Sequence, residues 1–337
     1  MRAIEIQNKF GLESLTPVER PDPTAGPFQA LLKLRAASLN YRDLLTVEGK
    51  YNPKLPLPLI PLSDGVGEVV AIGNGVTRVK VGDRVAANFS QKWLGGEPAR
   101  AKLGASLGGP LDGMLSEFRA LHEDGLVHVP AHLTDEEAAT LPCAAVTAWN
   151  SLINLGGLKA GETVLVQGTG GVSIFALQFA KLSGARVIIT SRSDDKLERA
   201  KSLGADFGIN YSTTPDWDKR AREITGGLGV DHIIEVGGAG TFPRSLRSIR
   251  IGGYIGLIGN LGGNATEVNL VQILMQNLRI QGVLVGSRDT FEAMNRAISL
   301  HQLHPVIDRV FSFDEARHAF EYMASGSHFG KICIKFQ

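Results

Sequence analysis

The sequence predicts an α/β protein that combines a doubly wound parallel sheet with a second, β-rich domain. Beyond residue 160, short apolar runs alternate with segments of helical periodicity, which is typical of parallel strands joined by helices. Before residue 125, alternating segments are separated by Pro, Gly and Asp turns, which is typical of antiparallel strands. The chain has 337 residues, more than one hydrophobic core usually serves, so two domains are expected.

The β-rich part shows strand-like alternation at residues 1–7, 30–35, 67–72 and 84–89. Four prolines between positions 53 and 61 exclude a helix there and favour a stiff extended crossing. Residues 90–113 are rich in glycine with a few basic side chains, and we expect them to form a long surface loop.

The parallel sheet is expected to contain strands at residues 164–167, 186–190, 207–210, 231–236, 254–258 and 280–285. Helical periodicity covers residues 172–183 and 194–203 within this region, and residues 290–303 and 313–325 after it. A closing strand is expected at residues 331–336. Because ligands of doubly wound sheets bind beyond the carboxyl ends of the strands, the loops at those ends are the candidate site.

The loop after the first of these strands carries a dinucleotide-binding pattern. Residues 163–173 read Thr-Val-Leu-Val-Gln-Gly-Thr-Gly-Gly-Val-Ser, an apolar strand that ends in closely spaced glycines and continues as a helix. Gly168 allows the tight turn, Gly170 lets the backbone approach a pyrophosphate, and the helix that begins at Gly171 and Val172 offers free amides. Ser173 stands at the third glycine position and is small enough for close packing of helix and strand.

Composition restricts the partners. Lys and Arg number 35 against 34 acidic residues, so there is no electrostatic footprint for nucleic acid or an acidic membrane surface. No apolar run reaches the roughly 18 residues of a membrane span, and the first residues lack a signal-peptide core. Only Cys143 and Cys333 are present, which provides neither a disulfide framework nor a cysteine-rich zinc module. We therefore expect a cytoplasmic protein that acts on a small molecule.

Several motifs in fixed order resemble the medium-chain dehydrogenase/reductase superfamily. They are Ala-Ser-Leu-Asn-Tyr-Arg-Asp at 37–43, Gly-Glu-Val-Val-Ala-Ile-Gly at 67–73, Val-Gly-Asp-Arg-Val at 81–85, the glycine turn, and His-Phe-Gly-Lys-Ile at 328–332. The resemblance implies a GroES-like catalytic domain from residues 1–124 and 288–337, a Rossmann domain from residues 125–287, and a nicotinamide cofactor in the cleft. It also implies a homodimer that pairs the edge strands at residues 280–285.

Within this superfamily, the chain resembles the zinc-free quinone oxidoreductases and enoyl reductases. The zinc ligands of the alcohol dehydrogenases correspond by position to Asn40, to Ser63 with Asp64, and to Cys143, a set that suits zinc poorly. We therefore predict no metal, with Cys143 as a small buried residue. The resemblance implies that Tyr51 is the proton donor, and that Asn40 contacts substrate or nicotinamide ribose. The alternatives are a packing role for Tyr51 and a local cap for Asn40.

The end of the second Rossmann strand predicts the cofactor. NAD enzymes place an acidic side chain there for the ribose, whereas this chain has Ser191, Arg192 and Ser193, followed by Lys196. A guanidinium and hydroxyl groups suit a 2′-phosphate, which favours NADPH, and Tyr211 matches a tyrosine near this phosphate in the zinc-free relatives. If the strand ended later, an acidic residue at 194 or 195 could hold the ribose, and NAD would be preferred.

Further cofactor-binding positions follow from the resemblance alone: Thr147, Gly237, Gly259, Asn260, Gly330 and Lys331. The sequence thus predicts a zinc-independent, NADPH-dependent oxidoreductase that transfers hydride to a quinone or an α,β-unsaturated carbonyl compound. One alternative is a metal-free, NAD(P)-dependent alcohol or carbonyl dehydrogenase. The other is a non-catalytic sensor that binds NADPH.

Overall fold

The computed structural model describes residues 1–336 and divides them into two compact units. The first unit comprises Met1–Val146 together with the segment that begins at Gly286, and the second comprises Thr147–Val285. The strands are β1 (Arg2–Ile6), β2 (Leu15–Glu19), β3 (Gln29–Leu39), β4 (Asp64–Ile72), β5 (Arg84–Ala87), β6 (Phe118–His122), β7 (Leu126–His128), β8 (Thr163–Gln167), β9 (Arg186–Ser191), β10 (Phe207–Asn210), β11 (Val230–Glu235), β12 (Ile249–Leu257), β13 (Arg279–Gly282), β14 (Ile307–Ser312) and β15 (Lys331–Lys335).

The helices are α1 (Tyr41–Val47), α2 (Arg100–Leu103), α3 (Asp135–Ala139), α4 (Val146–Trp149), α5 (Gly171–Leu182), α6 (Asp194–Ser202), α7 (Trp217–Ile224), α8 (Phe242–Ser248), α9 (Leu270–Met275), α10 (Arg288–His301) and α11 (Ala316–Ala324). Wider helical turns at Leu141–Ala145 and Asn150–Leu155 flank α4. None of the helices within residues 1–336 combines the length and the apolar character that a membrane crossing requires.

The second unit contains a parallel sheet in the order β10-β9-β8-β11-β12-β13. Numbered along the unit, this is the order 3-2-1-4-5-6 of dinucleotide-binding folds, and the strand order reverses between β8 and β11. The central strands are buried on both faces, with Val164, Leu165 and Val166 of β8 fully inaccessible, because helices cover the sheet. The predicted doubly wound parallel sheet is confirmed, and its ligand crevice is expected beyond the ends of β8 and β11.

The first unit contains a mostly antiparallel sheet in the order β14-β15-β3-β4-β5-β7. Strand β15 pairs with the last residues of β3, and β6 pairs with its first residues, Gln29 to Lys33. Only β14 and β15 run parallel, and β15 lies between β14 and β3. In register, Ile332 of β15 faces Leu39 of β3, and Ser38 of β3 faces Asp64 of β4. The end of β3 and the starts of β4 and β15 therefore meet at one edge of this sheet.

Two expectations differ from the structure. Residues 90–113 are not a surface loop, since Ser90, Trp93 and Leu107 are buried and α2 lies within the segment. The buried side chains of this segment follow no repeating pattern in the sequence, so periodicity did not reveal them. The last strand of the parallel sheet is Arg279–Gly282 and not residues 280–285, because its pairing with β12 stops at Gly282.

The contact-based division also assigns residues 125–146 to the first unit, whereas the sequence analysis gave them to the nucleotide-binding domain. The reason is that β7 extends the first sheet by pairing with β5.

Candidate functional site

The glycine turn after β8 has the shape that a dinucleotide phosphate requires. Gly168 has a φ of +70°, which favours glycine, and its amide donates to the Thr190 carbonyl at 2.9 Å. A Cβ added at Gly168 or Gly170 would meet no protein atom within 4 Å. Packing therefore does not require glycine at position 170, and the open space above the turn fits a ligand that approaches the backbone closely.

The helix that follows the turn completes this cradle. Helix α5 begins at Gly171 and runs for 12 residues, and the amides of its first turn have no partner within the helix. Ser173 is buried, and its hydroxyl donates to the Gln167 carbonyl at 2.7 Å. Serine in the third glycine position thus ties the helix to the end of β8 and leaves the amides of Gly171 and Val172 available to an anion.

The end of β9 carries the residues predicted to select the cofactor. The strand ends at Ser191, so Arg192 and Ser193 lie in the loop, and the backbone amide of Tyr211 donates to the Ser191 carbonyl at 3.0 Å. The Arg192 side chain is exposed, and Ser193 caps α6 by accepting from the backbone amide of Lys196. Predicted residues from two loops are therefore neighbours here.

The acidic residues after this strand belong to the first turn of helix α6. Asp194 lies in the first turn of α6, and its carboxylate accepts from the Asn210 side chain at 2.8 Å. Asp195 is exposed in the same turn, where acidic side chains favour the helix dipole.

A buried carboxylate that sequence reasoning missed lies at the switch point of the sheet. Glu235 ends β11 and is inaccessible to solvent. Its Oε1 accepts from the amides of Gly237 and Gly238, at 2.9 and 3.0 Å, and from the Thr241 hydroxyl. Its Oε2 accepts from the Gln167 amide at 2.8 Å and from the Ser245 hydroxyl.

This network fixes the loops beside the glycine turn. Gln167 directly precedes Gly168, and its Oε1 accepts in turn from the amides of Val236 and Gly237 at 3.3 Å. The amide of Gly259, after β12, donates to the Glu235 carbonyl at 3.2 Å. The Asn260 side chain donates to Asn264. An isolated acidic residue at a strand end is the only sequence feature that could have pointed to Glu235.

In the first unit, the positions of the alcohol dehydrogenase zinc ligands form one cluster. Asn40, Ser63 and Asp64 are buried, whereas Cys143 is only partly buried, contrary to the expectation that it is a buried residue. The Asn40 Nδ2 lies 3.4 Å from the Ser63 hydroxyl, which donates to Asp64 Oδ1 at 2.7 Å. The Cys143 amide donates to the other Asp64 oxygen at 3.1 Å. The Lys331 ammonium donates to Asn40 Oδ1 at 2.5 Å and to the Leu39 carbonyl at 2.6 Å. The cluster forms because the ends of β3, β4 and β15 converge.

This donor set does not fit a catalytic zinc ion. Zinc requires three or four donors of thiolate, imidazole or carboxylate type, and the cluster offers one carboxylate and one thiol. Desolvation raises the pKa of the Cys143 thiol far above its usual range, and burial raises the pKa of Asp64 to about 6. The amide oxygen of Asn40 is engaged by Lys331. Within residues 1–336, no group of three or more His, Cys, Asp and Glu side chains could hold a metal ion.

Tyr51 is connected to this cluster through Arg42. The Arg42 guanidinium lies 4.9 Å from the centre of the Tyr51 ring and donates to Asp43 Oδ1 at 3.0 Å. Asp43 Oδ2 accepts from the Asn40 backbone amide at 2.9 Å. Tyr51 is 44% exposed, and its ring lies against the Arg42 guanidinium.

The remaining predicted residues are distributed over both units. Thr147 is buried in α4, at the start of the second unit. Gly330 belongs to the first unit and has a φ of +79°, and an added Cβ would collide with the Val306 carbonyl. Lys331 follows it and is buried against Asn40, a contact that sequence reasoning did not foresee.

The fold and the glycine turn are typical of two-domain oxidoreductases that bind a dinucleotide, and comparison with known proteins agrees. Residues 26–131 match the family of alcohol dehydrogenase GroES-like domains, and residues 171–299 match that of zinc-binding dehydrogenases. A zinc-type alcohol dehydrogenase-like protein of Schizosaccharomyces pombe is 45% identical over 332 residues, which cover 96% of each chain. The chain therefore belongs to the medium-chain dehydrogenase/reductase superfamily, and it is an oxidoreductase.

Other relatives span the whole chain as well. An acryloyl-coenzyme A reductase of Metallosphaera sedula is 29% identical and covers 99% of both chains. A protein of Sinorhizobium meliloti, assigned as an alcohol dehydrogenase, has a solved structure with a TM-score of 0.92 and 39% identity, covering 100% of this chain and 99% of that one. An NAD-dependent alcohol dehydrogenase (TM-score 0.91, 34% identity, 99% of each chain) and a mycobacterial protein in complex with NADPH (0.83, 26%, 99% of each) share the fold.

Proposed function

We propose that this protein is a zinc-independent, NADPH-dependent reductase that delivers hydride to a quinone or to an alkene conjugated with a carbonyl group. The observation that carries the proposal is the cluster around Asn40. Where the alcohol dehydrogenases use zinc ligands, this chain has an amide, a hydroxyl and a carboxylate that are hydrogen-bonded to one another. Such a cluster stabilises negative charge on an acceptor oxygen through N–H donors, which suits addition to a conjugated carbonyl compound.

The second unit supplies the residues that would hold the dinucleotide. The amides of Gly170, Gly171 and Val172 would bind the pyrophosphate, since the space above the turn is open. Arg192, with the hydroxyls of Ser191 and Ser193, would bind the adenosine 2′-phosphate. The end of β9 at Ser191 supports NADPH over NAD, because the strand end and the loop that follows it carry Ser191, Arg192 and Ser193 where NAD enzymes place an acidic side chain. Bound there, the reduced nicotinamide supplies the hydride.

The first unit supplies the groups that stabilise the carbonyl oxygen of the substrate and donate the proton. Asn40 donates to the carbonyl oxygen, on which negative charge develops as hydride adds to the conjugated carbon. Tyr51 then donates a proton to the resulting enolate, and Arg42 above its ring stabilises the phenolate that remains. The products are the saturated carbonyl compound and NADP⁺. A relative named as an acryloyl-coenzyme A reductase, which reduces a compound of this type, supports the substrate class.

A homodimer is part of the proposal. Strand β13 is an edge of the parallel sheet, and no other strand of residues 1–336 pairs with its outer side. Nearby, α9 exposes Leu270, Val271, Leu274 and Met275, each between 64% and 75% accessible. An unpaired edge beside such an apolar surface favours pairing with a second copy. Sedimentation velocity should find a dimer, and Leu274→Glu should shift it to monomer; a monomeric wild type would contradict this part of the proposal.

The deciding experiment measures NADPH oxidation with cyclohexenone, benzoquinone and a saturated ketone, together with product analysis. Loss of the C=C bond or reduction of the quinone supports the proposal. Loss of only the saturated C=O bond would instead indicate a metal-free carbonyl dehydrogenase. NADPH binding without turnover across the panel would indicate a sensor.

Cofactor choice is tested separately with Arg192→Asp. This variant should weaken NADPH binding about 30-fold or more and leave NADH binding within about threefold, because only NADPH carries the 2′-phosphate. The matched control is Arg220→Asp, another exposed arginine of the second unit, which pairs with Glu223 at 2.9 Å. It should leave both affinities unchanged. Equal losses for NADPH and NADH in Arg192→Asp would refute phosphate binding there.

A further inference from the structure

Lys331 is a buried cation whose position calls for an explanation. It is 2% exposed, lies at the first position of β15, and directs its ammonium to the Leu39 carbonyl and the Asn40 side chain. Burying an ammonium group is unfavourable unless hydrogen bonds and nearby negative charge compensate it. Asp64, in the same cluster, supplies that charge, since the positive charge of Lys331 lowers the pKa of Asp64 against the raising effect of burial.

The ammonium determines how the Asn40 amide is oriented. A lysine ammonium can only donate hydrogen bonds, so the atom that faces it must be the amide oxygen of Asn40. The amide nitrogen then faces the Ser63 hydroxyl, at 3.4 Å, and that hydroxyl donates a hydrogen bond to Asp64 Oδ1 at 2.7 Å. Every donor and acceptor along this line is therefore assigned. The Asn40 oxygen is thus occupied by Lys331, and its NH₂ group faces Ser63 and also Asp64, whose pKa the hydrogen bond from Asn40 lowers.

We propose that Lys331 is a positioning residue that locks Asn40 as a hydrogen-bond donor. This inference rests on the proposed function and narrows the substrate class. The site binds a ligand atom that accepts, such as the oxygen of an enone or a quinone, and it offers no oxygen of Asn40 to receive the proton of an alcohol. The adjacent positive charge also polarises the amide and strengthens its N–H as a donor. Without Lys331, the Asn40 oxygen would keep only the Asp43 backbone amide, with which Asn40 forms the capping box at the start of α1, and the amide would be free to turn over.

The test is a double-mutant cycle on Lys331 and Asn40. Lys331→Met keeps the length of the side chain and removes the charge, and it should lower kcat for cyclohexenone about 10- to 100-fold. The dissociation constant of NADPH should stay within about threefold. In an Asn40→Ala background, Lys331→Met should lower kcat by less than about threefold, because its effect acts through Asn40. Lys331→Arg, which retains the charge, should recover part of the activity.

Lys335 provides a matched control, and the side-chain amide of Asn40 can be observed directly without any ligand. Lys335→Met removes an exposed lysine from the same strand, where it pairs with Glu136 at 3.0 Å, and should leave kcat unchanged. The side-chain amide resonances of Asn40, assigned with Asn40→Ala, should shift in Lys331→Met and not in Lys335→Met.

The outcomes separate this inference from the proposed function. A wild-type protein that reduces neither cyclohexenone nor benzoquinone refutes the proposed function, while the amide resonances still test the orientation of Asn40. Unchanged resonances in Lys331→Met refute the inference. The inference is also refuted if the losses of kcat in Lys331→Met and Asn40→Ala are additive in the double variant. It is likewise refuted if Lys331→Met raises the dissociation constant of NADPH about tenfold and leaves kcat unchanged, since Lys331 would then be a direct cofactor ligand.

Discussion

Replacing Glu235 by Gln should destabilise the second unit, because one carboxylate holds the loops at the switch point of its sheet. Among the ion pairs within residues 1–336, none involves Glu235, so hydrogen bonds alone compensate its charge. Both oxygens only accept, from two backbone amides, two hydroxyls and the Gln167 amide. A glutamine in the same place must direct an NH₂ group toward some of these donors. The Gln167 amide cannot turn over in response, since its own oxygen already accepts from two backbone amides.

The size of the effect follows from these contacts. Placing the NH₂ group of the new glutamine against a hydrogen-bond donor costs about 1–3 kcal/mol. Each hydrogen bond that residue 235 still accepts becomes about 1 kcal/mol weaker, because its acceptor is now neutral. Relief from burying a charge offsets several kcal/mol of this loss. The net decrease in the free energy of unfolding should be about 3 kcal/mol. The dissociation constant of NADPH should also rise, because the loop that starts at Val236 loses its anchor.

Urea unfolding followed by tryptophan fluorescence measures this change. A Trp93→Phe background leaves Trp149 and Trp217 as reporters, and both lie in the second unit. Glu198→Gln is the control, since Glu198 is 69% exposed and pairs only with Lys201 among the ion pairs described for residues 1–336. It should change stability by less than about 0.5 kcal/mol. A loss below about 1 kcal/mol in Glu235→Gln would refute the account of the network.

Three further predictions concern the first unit. Burial raises the pKa of Asp64 to about 6, so the folded state binds this proton more tightly than the unfolded chain, and its contribution to stability falls as pH rises from about 4 to about 6. When pH falls from about 7 to about 4.5, the free energy of unfolding of wild type should therefore increase by about 2 kcal/mol relative to that of Asp64→Asn, as measured by urea unfolding. A difference that does not change with pH would contradict the raised pKa. Tyr51→Phe should lower kcat about tenfold or more without changing NADPH affinity, whereas Tyr41→Phe should do neither. Metal analysis should find substoichiometric zinc and activity that survives chelation; one zinc per chain would overturn the donor argument.

Much of the second unit could be predicted from its sequence because its signals are local. The start of α6 is an example, since Ser193 precedes two acidic residues and caps the helix as expected. The glycine turn is another, because the φ of Gly168 is a property of one residue. Residues 90–113 escaped prediction since their buried side chains, such as Trp93, pack without periodicity.

The partners within both candidate sites escaped prediction for a different reason. Asn40 and Lys331 are separated by 291 positions and meet only because β15 pairs with β3 in one register. Glu235 and Gln167 are 68 positions apart and meet because β11 lies beside β8. A sequence lists the chemical groups that a site can use, whereas strand order decides which of them touch.

The place of β15 in its sheet has a consequence for synthesis on the ribosome. This strand lies in the interior of the sheet between β14 and β3, yet it consists of Lys331–Lys335 and is translated after every other strand of residues 1–336. Until it emerges, β3 presents an open edge, which is a template for unwanted association. Thr147–Val285 is continuous in the chain and can mature first. Nascent chains should therefore acquire a protease-resistant core from Thr147–Val285 before the first unit is complete, and they should depend on chaperones most until β15 has been translated.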